Sequence, residues 1–581
     1  MADTNSLLSL LEPILEQFQA MRPLLPTYAH LIVSAIVPIY TGAHASLSRP
    51  SSAAKAKKRS KAESDAEDDD EEEEESKDKG HKMEGLEPSD ALMFPLMAGL
   101  TLGGLYMIIK WLKDPQVLNK ILSFYFSQMG LFFAAALFRD GLKVMRSFFF
   151  PSTYSSGGYQ WKVDQKKRNC TVVQKKRNPQ TEATTTTTLE RKSPLPGFLG
   201  TVPLPNTILD LLWEIRALVY QRLQLRADLL SLAKVKTRFD MLDVSGVFAA
   251  LVAVAYFAFF AKPWWLTNVL GFSFCYGSLQ VISPSTFTTG SLILASLFLY
   301  DIYFVFFTPL MVTVATKLDV PIKMVFPRPA SPGEDSSELS LAMLGLGDIV
   351  VPGMMIGLAL RFDLFLYYKY KSIQNSKNNS SAEENQKPVY KRATGKWGER
   401  FWTRSKSVSP EPSYLDAQAF PKPYFFASVI GYVGGMVATL IAMQFSNHAQ
   451  PALLYLVPGV LISLWSTAYF RGELDSMYSF SDMIEDEDSG AKSGSNQEKD
   501  KNEVANKRGL FARIWAGDVN APFDTTVEIN KDDNEMKKEP PTESSSKEKN
   551  ESAGELASTK ATKEDEKYIF SLSISVPQAK S

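Results

Sequence analysis

Apolar and charged residues fall into separate long blocks along this chain. A helix needs about 20 consecutive, mainly apolar residues to cross the hydrocarbon core of a bilayer. The pattern predicts nine such helices, at about 28–48, 91–109, 121–138, 244–261, 264–283, 289–314, 339–360, 424–443 and 450–470. The sequence is therefore predicted to fold as an all-α polytopic membrane protein.

Polar segments separate these helices and divide the chain. The predicted divisions are a luminal segment at 1–27, helices one to three within 28–150 with a disordered acidic insert at 49–90, a cytosolic insert at 151–241, helices four to seven within 242–360, a disordered cytosolic loop at 361–423, helices eight and nine within 424–470, and a disordered cytosolic tail at 471–581. Within the cytosolic insert, Ile208–Asp243 has the spacing of an amphipathic helix and too many charges to cross lipid. Two apolar islands in the tail, Gly509–Ala516 and Tyr568–Val576, are candidate docking segments.

Lysine and arginine residues collect after the first, third, seventh and ninth spans, and basic loops resist translocation. This places the N-terminus in the lumen and the C-terminus in the cytosol. The glycosylation patterns begin at Asn169, Asn378, Asn379 and Asn550. All of them lie on the predicted cytosolic side, so glycan on any one would overturn this orientation.

Composition narrows the class of protein further. The chain has 581 residues with 63 Lys and Arg against 64 Asp and Glu, which does not fit a strongly basic nucleic-acid binder. Two cysteines, Cys170 and Cys275, give no disulfide framework. Four histidines and the absence of an HExxH motif disfavour zinc-dependent proteolysis. We predict no metal and no cofactor.

Two acidic residues lie inside predicted spans. Asp301 is about 12 residues from either end of the sixth span, and Asp348 is about 9 residues from the start of the seventh. With a rise of about 1.5 Å per residue, both are predicted near the bilayer midplane, where they can face each other. A carboxylate in hydrocarbon is costly, so both are functional candidates. By themselves the two acids fit either an aspartic protease or a proton-coupled transporter or channel.

The residues around Asp348 favour a site that opens. Gly345 and Gly347 have no side chains, so another helix or a peptide backbone can approach the acid. Pro352 has no N–H, which leaves the carbonyl of Asp348 without its helical donor. The seventh helix is therefore predicted to be weak at Asp348.

Three motifs in the sixth, seventh and ninth spans resemble the signature of the intramembrane aspartyl proteases of the signal peptide peptidase and presenilin class. They are Tyr300-Asp301, Gly345-Leu346-Gly347-Asp348 and Gln450-Pro451-Ala452-Leu453. The resemblance implies a presenilin-like fold, with Asp301 and Asp348 as the catalytic pair. It also implies that the other motif residues shape the substrate site, namely Tyr300, Gly345, Gly347, Gln450, Pro451, Ala452 and Leu453.

The short connection at 315–338 between the two aspartate spans resembles the signal peptide peptidase branch, and in particular a fungal-type member with long loops. This resemblance implies an endoplasmic reticulum protease that cuts type II oriented membrane segments such as remnant signal peptides. Homo-oligomers and partners in endoplasmic-reticulum-associated degradation are further expectations. A catalytically silent escort protein stays an alternative.

A substrate helix must unwind before its peptide bonds are accessible. Pro321–Pro329 contains the Val and Phe of a short strand. It is either a strand that pairs with the unwound substrate or a plain connector.

Overall fold

The computed structural model describes residues 22–54, 83–111, 116–157, 159–172, 190–229, 233–317, 323–328, 341–378, 387–391, 394–403, 420–446, 450–482 and 570–575. The helices are α1 (Leu25–Ala45), α2 (Asp90–Trp111), α3 (Gln116–Phe149), α4 (Asn206–Val219), α5 (Met241–Phe259), α6 (Trp264–Val281), α7 (Phe287–Phe306), α8 (Leu310–Lys317), α9 (Gly347–Asn378), α10 (Trp397–Thr403), α11 (Pro423–Ser446), α12 (Leu453–Arg471) and α13 (Leu474–Ser479). The strands are β1 (Glu84–Leu86), β2 (Thr153–Ser156), β3 (Tyr159–Asp164), β4 (Asn169–Val172), β5 (Glu190–Arg191), β6 (Arg222–Leu229), β7 (Ala233–Asp240), β8 (Ile282–Pro284), β9 (Lys323–Pro327), β10 (Leu341–Gly345) and β11 (Phe570–Ser575).

Eight helices in the described part of the chain are long and apolar enough to cross a membrane. They confirm a polytopic helical protein. The fifth predicted span, 264–283, forms α6, which carries several polar residues and is not among the eight. The predicted count of nine spans is therefore not confirmed.

Helix α9 lies at the centre of the bundle, in contact with α1, α6, α7, α11 and α12. A helix that is apolar around its whole circumference is expected to be buried. Inaccessible side chains cover all sides of α9, including Met355, Ile356, Leu358, Ala359, Leu360, Phe362 and Leu364. Asp348, at the start of this helix, is thus carried by the most buried of the eight candidate membrane spans.

Helices α11 and α12 pack closely because glycines face each other. A Cβ at Gly431 would overlap the carbonyl of Gly459, and a Cβ at Gly435 would lie 2.7 Å from the carbonyl oxygen of Tyr455. Apolar burial does not drive helices together in lipid, so close van der Waals packing between small residues is the expected alternative. This contact fixes α11 to the first turns of α12.

The predicted start of the seventh span at 339 is wrong, because residues 341–345 form β10 rather than helix. Strand β10 pairs antiparallel with β9, with Met343 opposite Val325. Helix α9 begins only at Gly347, so Asp348 lies in its first turn and not nine residues inside it. The sixth span also ends early, at Phe306, because the residue before Pro309 is disfavoured in a helix.

The predicted amphipathic helix 208–243 is wrong beyond Val219. Helix α4 is followed by the hairpin β6–β7, in which Leu225 lies opposite Thr237. From Arg222 onward apolar residues recur every second position, which is the period of a strand. Earlier in the insert, β2–β5 form a four-stranded antiparallel sheet around Tyr154, Trp161 and Cys170.

Parts of the segments predicted to be disordered are structured. Helix α9 continues to Asn378, and α10 docks on the end of α3, where the amide of Gly398 donates to Ser147 Oγ at 2.9 Å. Strand β1 pairs with β8. Within the predicted tail island 568–576, Phe570–Ser575 forms β11, which pairs with β6. The island at Gly509–Ala516 lies outside the described residues.

Acidic residues link α9 to neighbouring segments on the side of the bundle away from the β9–β10 hairpin. The carboxylate of Asp363 accepts the backbone N–H groups of Tyr424 and Phe425 at 3.2 and 2.9 Å, and so caps the start of α11 from α9. Arg361 forms an ion pair with Asp482 at 2.7 Å. These contacts fix the orientation of α9 relative to the helices around it.

Candidate active site

Asp301 lies in the last turns of α7 with only 4% of its surface exposed. Its Oδ2 accepts the backbone N–H of Leu453 at 3.0 Å. The first amides of a helix have no acceptor within the helix, and Ala452 provides no side-chain cap to α12. The carboxylate of Asp301 therefore takes the place of a side-chain cap at the N-terminal end of α12. The helix dipole favours a negative charge at this end.

Asp348 lies in the first turn of α9 and is half-buried. Its side chain turns back over Gly345, where an added Cβ would lie 3.2 Å from Oδ2 of Asp348. A Cβ at Gly347 would meet no atom of the described residues within 4 Å. The two glycines thus differ: Gly345 makes room for the carboxyl group itself, and Gly347 leaves open space beside it.

The carboxyl groups of Asp301 and Asp348 are close enough for their charges to interact. Two such groups cannot both ionise at low cost, which favours a state in which they hold one proton between them. Only Asp301 accepts the Leu453 amide, which favours the ionised form of Asp301 over that of Asp348. The pair therefore offers a general base and a general acid side by side.

The β9–β10 hairpin leads directly into Asp348 and is anchored by Asn268 on α6. The side-chain Nδ2 of Asn268 donates to the carbonyl of Val325, and the side-chain Oδ1 accepts the backbone N–H of Val325, both at 2.8 Å. Thr27 covers the same edge of β9 by donating to Pro327 O at 3.3 Å. The outer edge of β9 is thereby occupied by side chains of the protein.

Among the described residues, the free edge of this sheet belongs to β10. Neighbouring residues of an antiparallel strand direct their backbone groups to opposite sides. Because Val325 directs both groups to Asn268, its partner Met343 directs its own N–H and C=O away from β9. The Met343 backbone has no hydrogen-bond partner among the described residues, and its side chain is 54% exposed.

The structure brings together only part of the predicted site. Leu453 and Gly345 contact the aspartates, and Pro451 and Ala452 form the turn that presents the Leu453 amide. Tyr300 packs on Phe304 with ring centroids 4.5 Å apart. Gln450 donates to Ser446 Oγ at 2.7 Å. Tyr300 lies close enough to Asp301 for an electrostatic interaction, whereas Gln450 has no hydrogen bond to either acid among the described residues.

Two residues beside the site were missed from the sequence. Asn268 carries a weak signal, as an uncharged polar residue within a predicted span. Tyr432 carries a stronger one: Pro352 leaves the carbonyl of Asp348 without a donor, so a donor must come from another helix. Tyr432 supplies it, with its hydroxyl 3.2 Å from Asp348 O.

No group of three His, Cys, Asp or Glu that could hold a metal ion occurs in the described ranges.

Comparison of the sequence with known proteins identifies the family of this chain. The family model described as signal peptide peptidase matches residues 76–483. A probable intramembrane protease from Schizosaccharomyces pombe is 35% identical over 236 residues, which cover 41% of this chain and 63% of that protein. The signal peptide peptidase of Homo sapiens is 25% identical over 454 residues, which cover 78% of this chain and 82% of the human protein. With its two interacting aspartates at helix ends and a family match over most of its length, the chain belongs to the signal peptide peptidase family of intramembrane aspartyl proteases.

Proposed function

We propose that Asp301 and Asp348 are the catalytic pair and that the protein cuts type II oriented membrane segments, such as remnant signal peptides, in the endoplasmic reticulum membrane. The observation that carries the proposal is the hydrogen bond from the Leu453 amide to Asp301. It joins the motif of the ninth span to the acid of the sixth, while Asp348 lies close enough to interact with Asp301.

The two aspartates have different roles in hydrolysis, one as general base and the other as general acid. Ionised Asp301 takes a proton from water as the water attacks the amide carbon, and protonated Asp348 donates to the carbonyl oxygen. As the carbon–nitrogen bond breaks, Asp301 gives the proton that it took from water to the leaving amine, and a hydroxyl of the tetrahedral intermediate gives a proton back to Asp348. The Leu453 amide supports this division because it stabilises the charge on Asp301.

Substrate binding by strand addition is supported at β10 rather than at the predicted segment 321–329. Asn268 and Thr27 occupy the outer edge of β9, whereas the Met343 backbone is unpaired among the described residues. An extended peptide paired with β10 would run toward Asp348, which follows β10 by three residues. Strand pairing holds a peptide in the unwound state that hydrolysis requires.

The sequence and the names of the relatives support the location of the protein in a membrane, and the sequence alone supports its orientation. We propose that the N-terminus is luminal and the C-terminus cytosolic, which places the small sheet β2–β5 in the cytosol. Homo-oligomers and degradation partners remain predictions. The comparisons give no support to the proton-coupled transporter that the two acids alone leave open.

Cleavage of a signal-peptide-derived membrane segment by the purified protein in detergent tests the proposal. Wild type is expected to cut. Asp301→Ala and Asp348→Ala are expected not to cut, although a melting transition shows that each variant is still folded. Cutting by either folded variant would show that the aspartates are not the catalyst. A folded wild type that moves a solute and leaves this and other type II segments uncut would favour the transporter.

A further inference from the structure

Pro352 creates a defect in the first turn of α9. In a regular helix the N–H of residue 352 donates to the carbonyl of residue 348. Proline has no N–H, so the carbonyl of Asp348 loses its helical partner. A buried carbonyl without a donor is costly, and this one belongs to the residue whose side chain must be held in position.

Tyr432 of α11 fills this defect. Its hydroxyl donates to the carbonyl of Asp348 at 3.2 Å, and its side chain is fully inaccessible. A buried tyrosine is expected to place its hydroxyl on a partner. Here the partner is the one carbonyl in the first turn of α9 that Pro352 deprives of a donor.

Helix α11 is also fixed to the other half of the site. Gly431 and Gly435 flank Tyr432 in sequence and pack against α12, where Gly435 approaches the carbonyl of Tyr455. Tyr455 is two residues from Leu453, whose amide binds Asp301. The same helix thus contacts the turn that carries Asp348 and the turn that binds Asp301.

We propose that Tyr432 is a positioning residue, which sets Asp348 relative to Asp301 by bonding the Asp348 main chain through its hydroxyl. Tyr432 does not touch the substrate in this role. The inference rests on the proposed catalytic role of Asp348.

A double-mutant cycle tests the inference with kcat and KM measured separately. Tyr432→Phe removes only the hydroxyl. Pro352→Ala restores an N–H that can donate to the same carbonyl. The matched control is Tyr424→Phe on the same helix, whose hydroxyl binds Glu473 far from the aspartates. Melting temperatures show that each variant is folded.

We expect Tyr432→Phe to lower kcat about tenfold or more and to leave KM within about threefold, because misplacement of a catalytic group affects the chemical step. Tyr424→Phe should stay within about twofold of wild type in kcat. In the Pro352→Ala background, Tyr432→Phe should cost less than about threefold, since the restored N–H replaces the hydroxyl.

An unchanged kcat in Tyr432→Phe, or an equal loss in both backgrounds, would overturn the inference. If Tyr432→Phe alone does not fold, recovery of folding and cutting in the double variant supports it and failure to recover opposes it. Cutting by folded Asp348→Ala would instead refute the proposed function itself, so the two failures are distinguishable.

Discussion

The backbone N–H of Leu453 lies 3.0 Å from Oδ2 of Asp301. This contact gives the Pro-Ala-Leu motif of the ninth predicted span a physical role, because the motif starts a helix whose first free amide binds the acid. The motif therefore acts through its main chain, and the side chain of Leu453 is free to pack in the core, where it is 7% exposed.

The first prediction separates the chemical role of Asp301 from its capping role. Asp301→Asn and Asp301→Ala should both abolish cleavage, since neither has a carboxyl group. Asparagine keeps an oxygen that accepts the Leu453 amide, whereas alanine leaves that buried N–H unpaired. We expect Asp301→Ala to be less stable than Asp301→Asn by about 1–3 kcal/mol, measured by unfolding in detergent. Equal stability of the two variants would contradict the capping role.

The bundle could be predicted from the sequence because long apolar blocks have few alternatives in a membrane. The acids at 301 and 348 were found for the same reason, since charge is rare there. The depth of Asp348 was not predictable from hydropathy. Residues 341–345 are apolar in either state, and whether they form helix or strand depends on pairing with β9, a contact distant in sequence.

A second prediction concerns the free edge of β10. Met343→Pro removes the N–H that faces away from β9 and keeps the ladder between the two strands, so the fold should be retained. If the substrate pairs with this edge, kcat/KM should fall about tenfold, the cost of one hydrogen bond. Met343→Ala is the matched control and should cut normally. Equal cleavage by the proline and alanine variants would argue against strand addition at this edge.

The third prediction tests the anchor of the hairpin. Asn268→Leu removes both hydrogen bonds to Val325 and leaves two backbone groups unpaired. We expect the free energy of unfolding to fall by about 2–4 kcal/mol and cleavage to fall with it, because the hairpin loses its fixed position before Asp348. Thr267→Val is the control, since its hydroxyl binds Pro263 O on its own helix. Similar stability of the two variants would mean that Asn268 does not hold the hairpin.

The polar contacts at the other end of the bundle were also hidden from the sequence. Glu473 follows α12 and looks like any charged residue after a span. In the structure its carboxylate accepts the hydroxyls of Tyr370 and Tyr424, both at 2.6 Å, and Arg471 Nε at 2.9 Å. These three partners come from α9, α11 and α12, so Glu473 joins the helix that carries Asp348, the helix that carries Tyr432 and the helix that begins at Leu453.

The fourth prediction uses the ionisation of Glu473. Burial by itself raises the pKa of Glu473, but the hydrogen bonds from Arg471, Tyr370 and Tyr424 outweigh it and hold the pKa below its ordinary value of 4.5. A pKa that is lower in the folded state means that ionised Glu473 stabilises the fold above about pH 4.5, and that this stability is lost as pH falls through the folded pKa. Glu473→Gln should therefore melt at a lower temperature than wild type at pH 7, and the difference should shrink as pH falls below about 4.5.

Asp475→Asn, a change at an exposed carboxylate two residues away, is the control and should melt like wild type at pH 7. A difference between Glu473→Gln and wild type that stays constant from pH 7 to below pH 4.5 would show that the charge of Glu473 does not stabilise the three-helix junction.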